Sequence, residues 1–189
     1  LVIAPHPDDE VLGCGGTLLR GRSEGVTLGW AIMTKISEEH GWSTESVCER
    51  ENEIEQVRKR LGVRPEHLFQ LGFPTTRLDT IPIGDIIAKV SEVFQCFKPE
   101  EILVPHQGDV HSDHRITFEA VTACTKWFRY PFVKRVLAYE TLSETEFNLN
   151  PSKAFQPNVF VDIFSYLEQK LELLRIYSSE LGEFPFPRS

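Results

Sequence analysis

No uninterrupted stretch of about 18 apolar residues, the length a membrane-spanning helix needs, occurs in this 189-residue chain. Cysteine is sparse as well: Cys14, Cys48, Cys96 and Cys124 are scattered, with no Cys-X-X-Cys pair. That excludes the usual structural-zinc and dithiol redox spacings and predicts reduced thiols in a cytoplasmic protein. Positive charge is in deficit, 20 Lys+Arg against 28 Asp+Glu for a formal charge of −8. Such a chain lacks the electrostatic footprint of a phosphate-backbone binder, so nucleic acid is not an expected partner. Low-complexity tracts are missing too. What is present, 41% hydrophobic and 25% charged residues, describes a globular chain long enough to bury a core without disulfide or metal staples. The sequence starts without Met inside an apolar run, Leu1-Val2-Ile3-Ala4, and closes on Pro185-Phe186-Pro187-Arg188-Ser189. Both edges predict a natural protein that is longer.

Apolar runs and helical periodicities alternate along the chain. Leu1–Ala4, ended by Pro5, reads as a buried parallel strand, and Val26–Thr34, His67–Leu71, Glu101–Pro105, Val133–Tyr139 and Val159–Ile163 read as further strands. Helices are expected from Gly13, over Val47–Leu61 with Gly62 as C-cap, over Ile83–Phe97, over Asp113–Phe128 and over Tyr166–Tyr177. Ile36–Ser46 reads as a mobile loop. Alternation of this kind argues an α/β fold, a three-layer Rossmann-like sandwich with a mainly parallel sheet, and one domain over residues 1–189. Ligands of such sheets bind at the carboxyl ends of the strands. Strand 1 runs into His6-Pro7-Asp8-Asp9-Glu10, and the fourth strand runs into the stretch His106 to His114.

Those two stretches hold five residues suited to a metal: His6, Asp8, Asp9, His111 and His114. Imidazole and carboxylate suit Zn²⁺ or Fe²⁺, and a catalytic site keeps three protein ligands and one open place. His6 shares a turn with the acids, and His111 lies one helical turn before His114. Whichever of Asp8 and Asp9 is not a ligand is free to take a proton from water. The plainer reading makes Asp8, Asp9 and Asp113 helix N-caps and the histidines surface residues. It leaves unexplained why three histidines and three acids gather in two clusters at one sheet edge.

Pro5-His6-Pro7-Asp8-Asp9-Glu10, followed by Gly13-Cys14-Gly15-Gly16, resembles the signature of the LmbE-like (PIG-L) N-acetylglucosaminyl deacetylases, and His111-Ser112-Asp113-His114 resembles their second, His-X-Asp-His motif. Arg50-X-X-Glu53 is a weaker third match. The resemblance implies that His6, Asp9 and His114 hold the metal, with Zn²⁺ or Fe²⁺ as the cofactor. It implies Asp8 as general base and His111, oriented by Asp113, as electrostatic partner or general acid, with Asp113 raising the pKa of His111. It places Arg50 against the substrate. The expected reaction is removal of acetyl from an N-acetylated amino sugar or its conjugate. One departure shows near the end: some relatives carry Pro-His-Pro-Arg-Ser where this chain has Pro185-Phe186-Pro187-Arg188-Ser189.

Other signals carry less. Gly13-Cys14-Gly15-Gly16 is no dinucleotide loop, because the third glycine of that motif would fall on Leu18 and the turn is rich in carboxylates. The glycines are expected to let a helix pack tightly beneath the metal loop, with Cys14 as buried filler. His106 is a candidate contact near the site, and Trp42 a candidate stacking face for a sugar. Trp127, Phe128, Tyr130 and Phe132 read as core, and the same stretch is the candidate interface of a homo-oligomer. Two rival functions remain: a metal-dependent phosphoesterase, which calls for two ions about 3.5–4 Å apart, and a non-catalytic sugar- or nucleotide-binding domain.

Overall fold

Val2–Ala4 forms β1, three buried residues in the middle of a sheet. The structure, a computed structural model, describes residues 1–188; Ser189 of the Pro185–Ser189 stretch lies outside the described residues. Around β1 pair β2 (Trp30–Lys35), β3 (Leu68–Pro74), β4 (Glu101–Pro105) and β5 (Arg135–Tyr139), all parallel, in the order β3-β2-β1-β4-β5. Val2 faces Trp30 on one side and Leu103 on the other. The chain builds β1 to β3 outward in one direction, then crosses over to build β4 and β5 in the other. The strand order therefore reverses between β1 and β4, which is where such sheets open a crevice for ligands.

Alternation along the strands feeds two apolar layers. Val2, Ala4, Trp30, Ile32 and Leu103 pack against α1 (Asp9–Ser23), α2 (Thr44–Leu61) and α5 (Leu167–Leu174). Ile3, Ala31, Met33, Ile102 and Val104 pack against α3 (Ile83–Phe97) and α4 (Ser112–Ala123). The expected three-layer architecture is thus the one observed, and α3 and β4 have the expected bounds. Gly62 ends α2 at φ 74°, in the left-handed conformation that glycine adopts freely.

Several elements differ from expectation. α1 begins at Asp9, four residues before Gly13, so the acids stand at the helix start itself. β2 begins at Trp30, and the turn before it leaves Val26 exposed. Ile36–Ser46 is partly ordered by a short 3₁₀ turn over Glu38–His40 and by the first residues of α2. α4 stops at Ala123. Val159–Ile163 forms no strand: Val159 and Phe160 are 50% and 81% exposed, and β propensity alone does not hold a strand without a pairing partner.

Candidate active site

The loops leaving β1 and β4 meet because those strands are neighbours, and each delivers its polar residues to the same spot. Asp9 Oδ2 is the hub. It lies 3.3 Å from His6 Nδ1 and 3.2 Å from His114 Nε2, and it accepts the His6 backbone N–H at 2.8 Å. One ligand atom from each of His6, Asp9 and His114 lies within 4.8 Å of the others. A second group, His6, His111 and Asp113, meets the same distance limit. Its acid is already committed, since the Asp113 carboxylate accepts the backbone N–H groups of Thr76 at 2.7 Å and Leu78 at 3.0 Å. Both groups draw on His6, so they overlap rather than form two independent sites.

Each of the two imidazoles beside Asp9 is backed by another carboxylate. His6 Nε2 bonds Asp113 Oδ2 at 3.1 Å, and His114 Nδ1 bonds Asp109 Oδ2 at 2.9 Å. Asp109 is held in turn by the Thr145 hydroxyl at 2.7 Å. Carboxylate–imidazole pairs of this kind fix ring orientation and make the ring a better metal ligand. The sequence reading missed Asp109; its one signal was an acid in the same loop, five residues before His114.

The electrostatics follow from four buried or nearly buried carboxylates around three imidazoles. Burial opposes a charge on His6, but Asp113 and Asp9 outweigh it and raise its pKa to about 9. Burial likewise opposes charge on His114, and Asp9 with Asp109 raises it to about 10. His114 and His6 in turn hold Asp9 well below the usual carboxylate range despite its burial. Two imidazoles and a carboxylate are a donor set that could hold a divalent ion.

Asp8 occupies the N-cap position of α1 at φ 128° without capping it, a conformation that a non-glycine residue holds only when its surroundings impose it. Burial, reinforced by Asp9 and opposed by Arg188, raises its pKa to about 7. Its carboxylate receives Arg188 Nη1 at 2.5 Å, and its backbone N–H goes to Glu10 Oε2 at 3.1 Å. Glu10 is itself buried, takes the Tyr177 hydroxyl at 2.7 Å, and is raised by burial to about 8. None of Arg188, Glu10 and Tyr177 was given a role by the sequence.

His111 sits at the N-cap of α4, and its ring supplies the cap: Nδ1 accepts the Asp113 backbone N–H at 3.1 Å. It is therefore the Asp113 main chain, not the expected carboxylate, that orients this ring. Asp113 acts to raise the pKa of this ring, as expected, but it is outweighed. Burial first, then the neighbouring His6 and His114, lower the pKa to about 4, because the Asp113 carboxylate is turned toward His6 and the two backbone N–H groups.

The remaining candidates are placed as follows. Arg50 donates to Pro7 O at 3.0 Å and Ser179 Oγ at 2.9 Å and pairs with Glu180 and Glu53, so its guanidinium braces the turn at Pro7 from within the protein. His106 Nε2 bonds Lys153 O at 2.8 Å and its ring packs edge-on against Phe155, which fixes it outside the cluster. Cys14 is buried, its thiol donates to Glu10 O, and burial pushes its pKa up, so it acts as packing. A Cβ on Gly13 would come within 2.2 Å of the Tyr139 ring, the tight packing beneath the loop that the glycines predicted. Trp42 is half exposed, on the loop before α2. Tyr130 is buried, whereas Trp127 and Phe128 are exposed.

The family profile PIG-L, described as GlcNAc-PI de-N-acetylase, matches residues 1–125. The uncharacterized deacetylase YaiS of Escherichia coli is 27% identical over 186 residues, covering 95% of this chain and 90% of the relative. The diacetylchitobiose deacetylase of Thermococcus kodakarensis is 26% identical over 200 residues, covering 97% of this chain and 70% of the relative. Among solved structures, a conserved protein from Thermus thermophilus superposes with a TM-score of 0.71 at 28% identity, over 95% of this chain and 78% of that one.

Proposed function

The chain belongs to the PIG-L family of GlcNAc-PI de-N-acetylases, and on that premise we propose that it is a metal-dependent amidohydrolase that removes acetyl from an N-acetylated amino sugar or its conjugate. The observation that carries this reading is the convergence of His6 and His114 on Asp9 Oδ2, each ring backed by a further carboxylate, at the sheet's reversal point. His6, Asp9 and His114 are the proposed metal ligands. Zn²⁺ or Fe²⁺ held there supplies Lewis acidity, polarising a carbonyl and acidifying water.

The chain's own residues do the rest. Asp8 accepts a proton from water as its oxygen forms a bond to the acetamide carbon. His111 acts as a neutral donor: with Nδ1 occupied by the Asp113 N–H, its hydrogen is on Nε2, free to bond the oxygen on which charge develops. Asp113 orients His6 through its carboxylate and His111 through its main chain. The C–N bond then breaks, the proton held by Asp8 passes to the nitrogen, and acetate and a free amine leave. Relatives named as diacetylchitobiose deacetylase and as deacetylases more broadly support an amino-sugar substrate. A two-ion phosphoesterase is disfavoured because His6 is common to both metal-capable groups. We place the activity in one domain over residues 1–189. Four free thiols support a reducing, cytoplasmic setting. Exposed Trp127 and Phe128 are the proposed surface for self-association.

The test is acetate release from N-acetylglucosamine conjugates by metal-loaded protein. Wild type turns over; Asp8→Asn loses about 10²–10⁴-fold in kcat, the range for a positioned base. Equal turnover by Asp8→Asn would end this reading.

A further inference from the structure

We infer that Arg188 is a positioning residue for Asp8, a brace that ties the turn after β1 to the turn after β5 and so aims the carboxylate. This rests on the role of Asp8 proposed above. Arg188 Nη1 donates to Asp8 Oδ2 at 2.5 Å, and its Nε donates to Ser143 Oγ at 3.0 Å. Both residues so joined hold backbone conformations that side-chain-bearing residues rarely adopt, φ 128° at Asp8 and φ 75° at Ser143. Such positions persist only where the surroundings over-determine them, and one guanidinium is shared between the two. Among the described residues it is the sole hydrogen-bond donor to the Asp8 carboxylate, which, as noted, does not cap its helix. Because Oδ2 is the bonded oxygen, Oδ1 is left to take a proton.

The brace is itself backed. Glu180 lies 3.6 Å from Arg188 Nη1 and pairs on its other oxygen with Arg50, which donates to Pro7 O in the same turn. The Arg188 side chain is 12% exposed, so the pair is shielded rather than a weak surface contact. A lysine cannot reproduce it, since one ammonium lacks the planar fork that reaches both Asp8 and Ser143.

The experiment compares wild type with Arg188→Ala, Arg188→Lys and Ser143→Ala by acetate-release kinetics, metal content and amide hydrogen exchange. The expected result for Arg188→Ala is a fall in kcat of about 10–100-fold, the scale of a misaligned reacting group. KM and metal content stay as in wild type, added guanidinium restores part of kcat, and amides of residues 6–12 and 140–146 exchange faster. Arg188→Lys falls in between. Ser143→Ala, which removes one strut, loses several-fold and keeps Arg188 in place should the alanine variant not fold. Unchanged kcat, unchanged exchange in the two turns, or loss of metal along with activity would overturn the proposal. A wild type that binds metal yet releases no acetate overturns the hydrolytic reading, and the role of Arg188 with it. A brace that fails while wild type turns over overturns this inference alone.

Discussion

His111 is capped at Nδ1 by a backbone N–H and flanked by two imidazoles that carry charge more readily than it does. Its expected contribution is a hydrogen bond from a neutral ring. His111→Ala should lower kcat by about 10²–10³-fold, the usual cost of deleting one oxyanion donor, and leave metal content unchanged. A kinetic pKa near 6 to 7 assignable to His111 would contradict the neutral-donor role. His6 and His114 make the complementary prediction. With pKa values raised to about 9 and 10, both are protonated at neutral pH in the metal-free protein. Metal must displace those protons, so affinity rises with pH until those values are passed. Calorimetric titration with zinc in two buffers of different ionisation enthalpy should report release of about two protons per ion at about pH 7.5. No buffer dependence would contradict this.

Among the elements, α1 owes its position to glycine. Its first turns lie directly beneath the His6–Glu10 loop, and Gly13 meets the ring of Tyr139, whose hydroxyl bonds Ile3 O at 2.8 Å. Gly13→Ala should destabilise the fold by about 1–3 kcal/mol or more, the cost of overpacking where neighbours cannot yield. Thermal unfolding measures it. A smaller residue at Tyr139 should recover part of the loss, and simple additivity of the two changes would refute direct contact.

Sequence legibility also divides at this scale. β4, α3 and the Gly62 cap were readable because each is fixed by local pattern: a bounded apolar run, a 3.6-residue stripe, a left-handed glycine. α4 was overextended because apolar residues continue to Phe128 after the backbone has turned away. Val159–Ile163 has strand composition and no partner. The site's two motifs were legible since each is local. Asp109 and Arg188 were not, for one is an acid inside a loop and the other reaches Asp8 from 180 positions away, a meeting that only the closed fold produces.

The whole molecule gathers charge at one edge of its sheet, and this sets its response to pH. Asp8 and Glu10 have pKa values raised to about 7 and 8 by burial, so the native state binds more protons than the unfolded chain from about pH 4 upward, and their ionisation costs stability as pH rises. The stability that His6 and His114 contribute is complete below about pH 6.5 and is lost as pH rises through 9 and 10. Asp9 and Asp113, both depressed, contribute stability that disappears as pH falls through the acid range. His111, whose pKa is lowered to about 4, likewise favours higher pH, between about 4 and 6.5. The metal-free protein should therefore be most stable near pH 4–6 and weaken steadily toward pH 9, as Tm across a pH series would record. Zinc should reverse that slope, because its binding is strongest where the ligands deprotonate.

The most direct test of the central claim is metal content by mass spectrometry on protein purified without chelator, beside His114→Ala and His111→Ala. The account predicts close to one zinc or iron per chain in wild type and His111→Ala, and a loss in His114→Ala. A wild type that stays empty after zinc or iron(II) is supplied, or a His114→Ala variant that remains fully loaded, would contradict it.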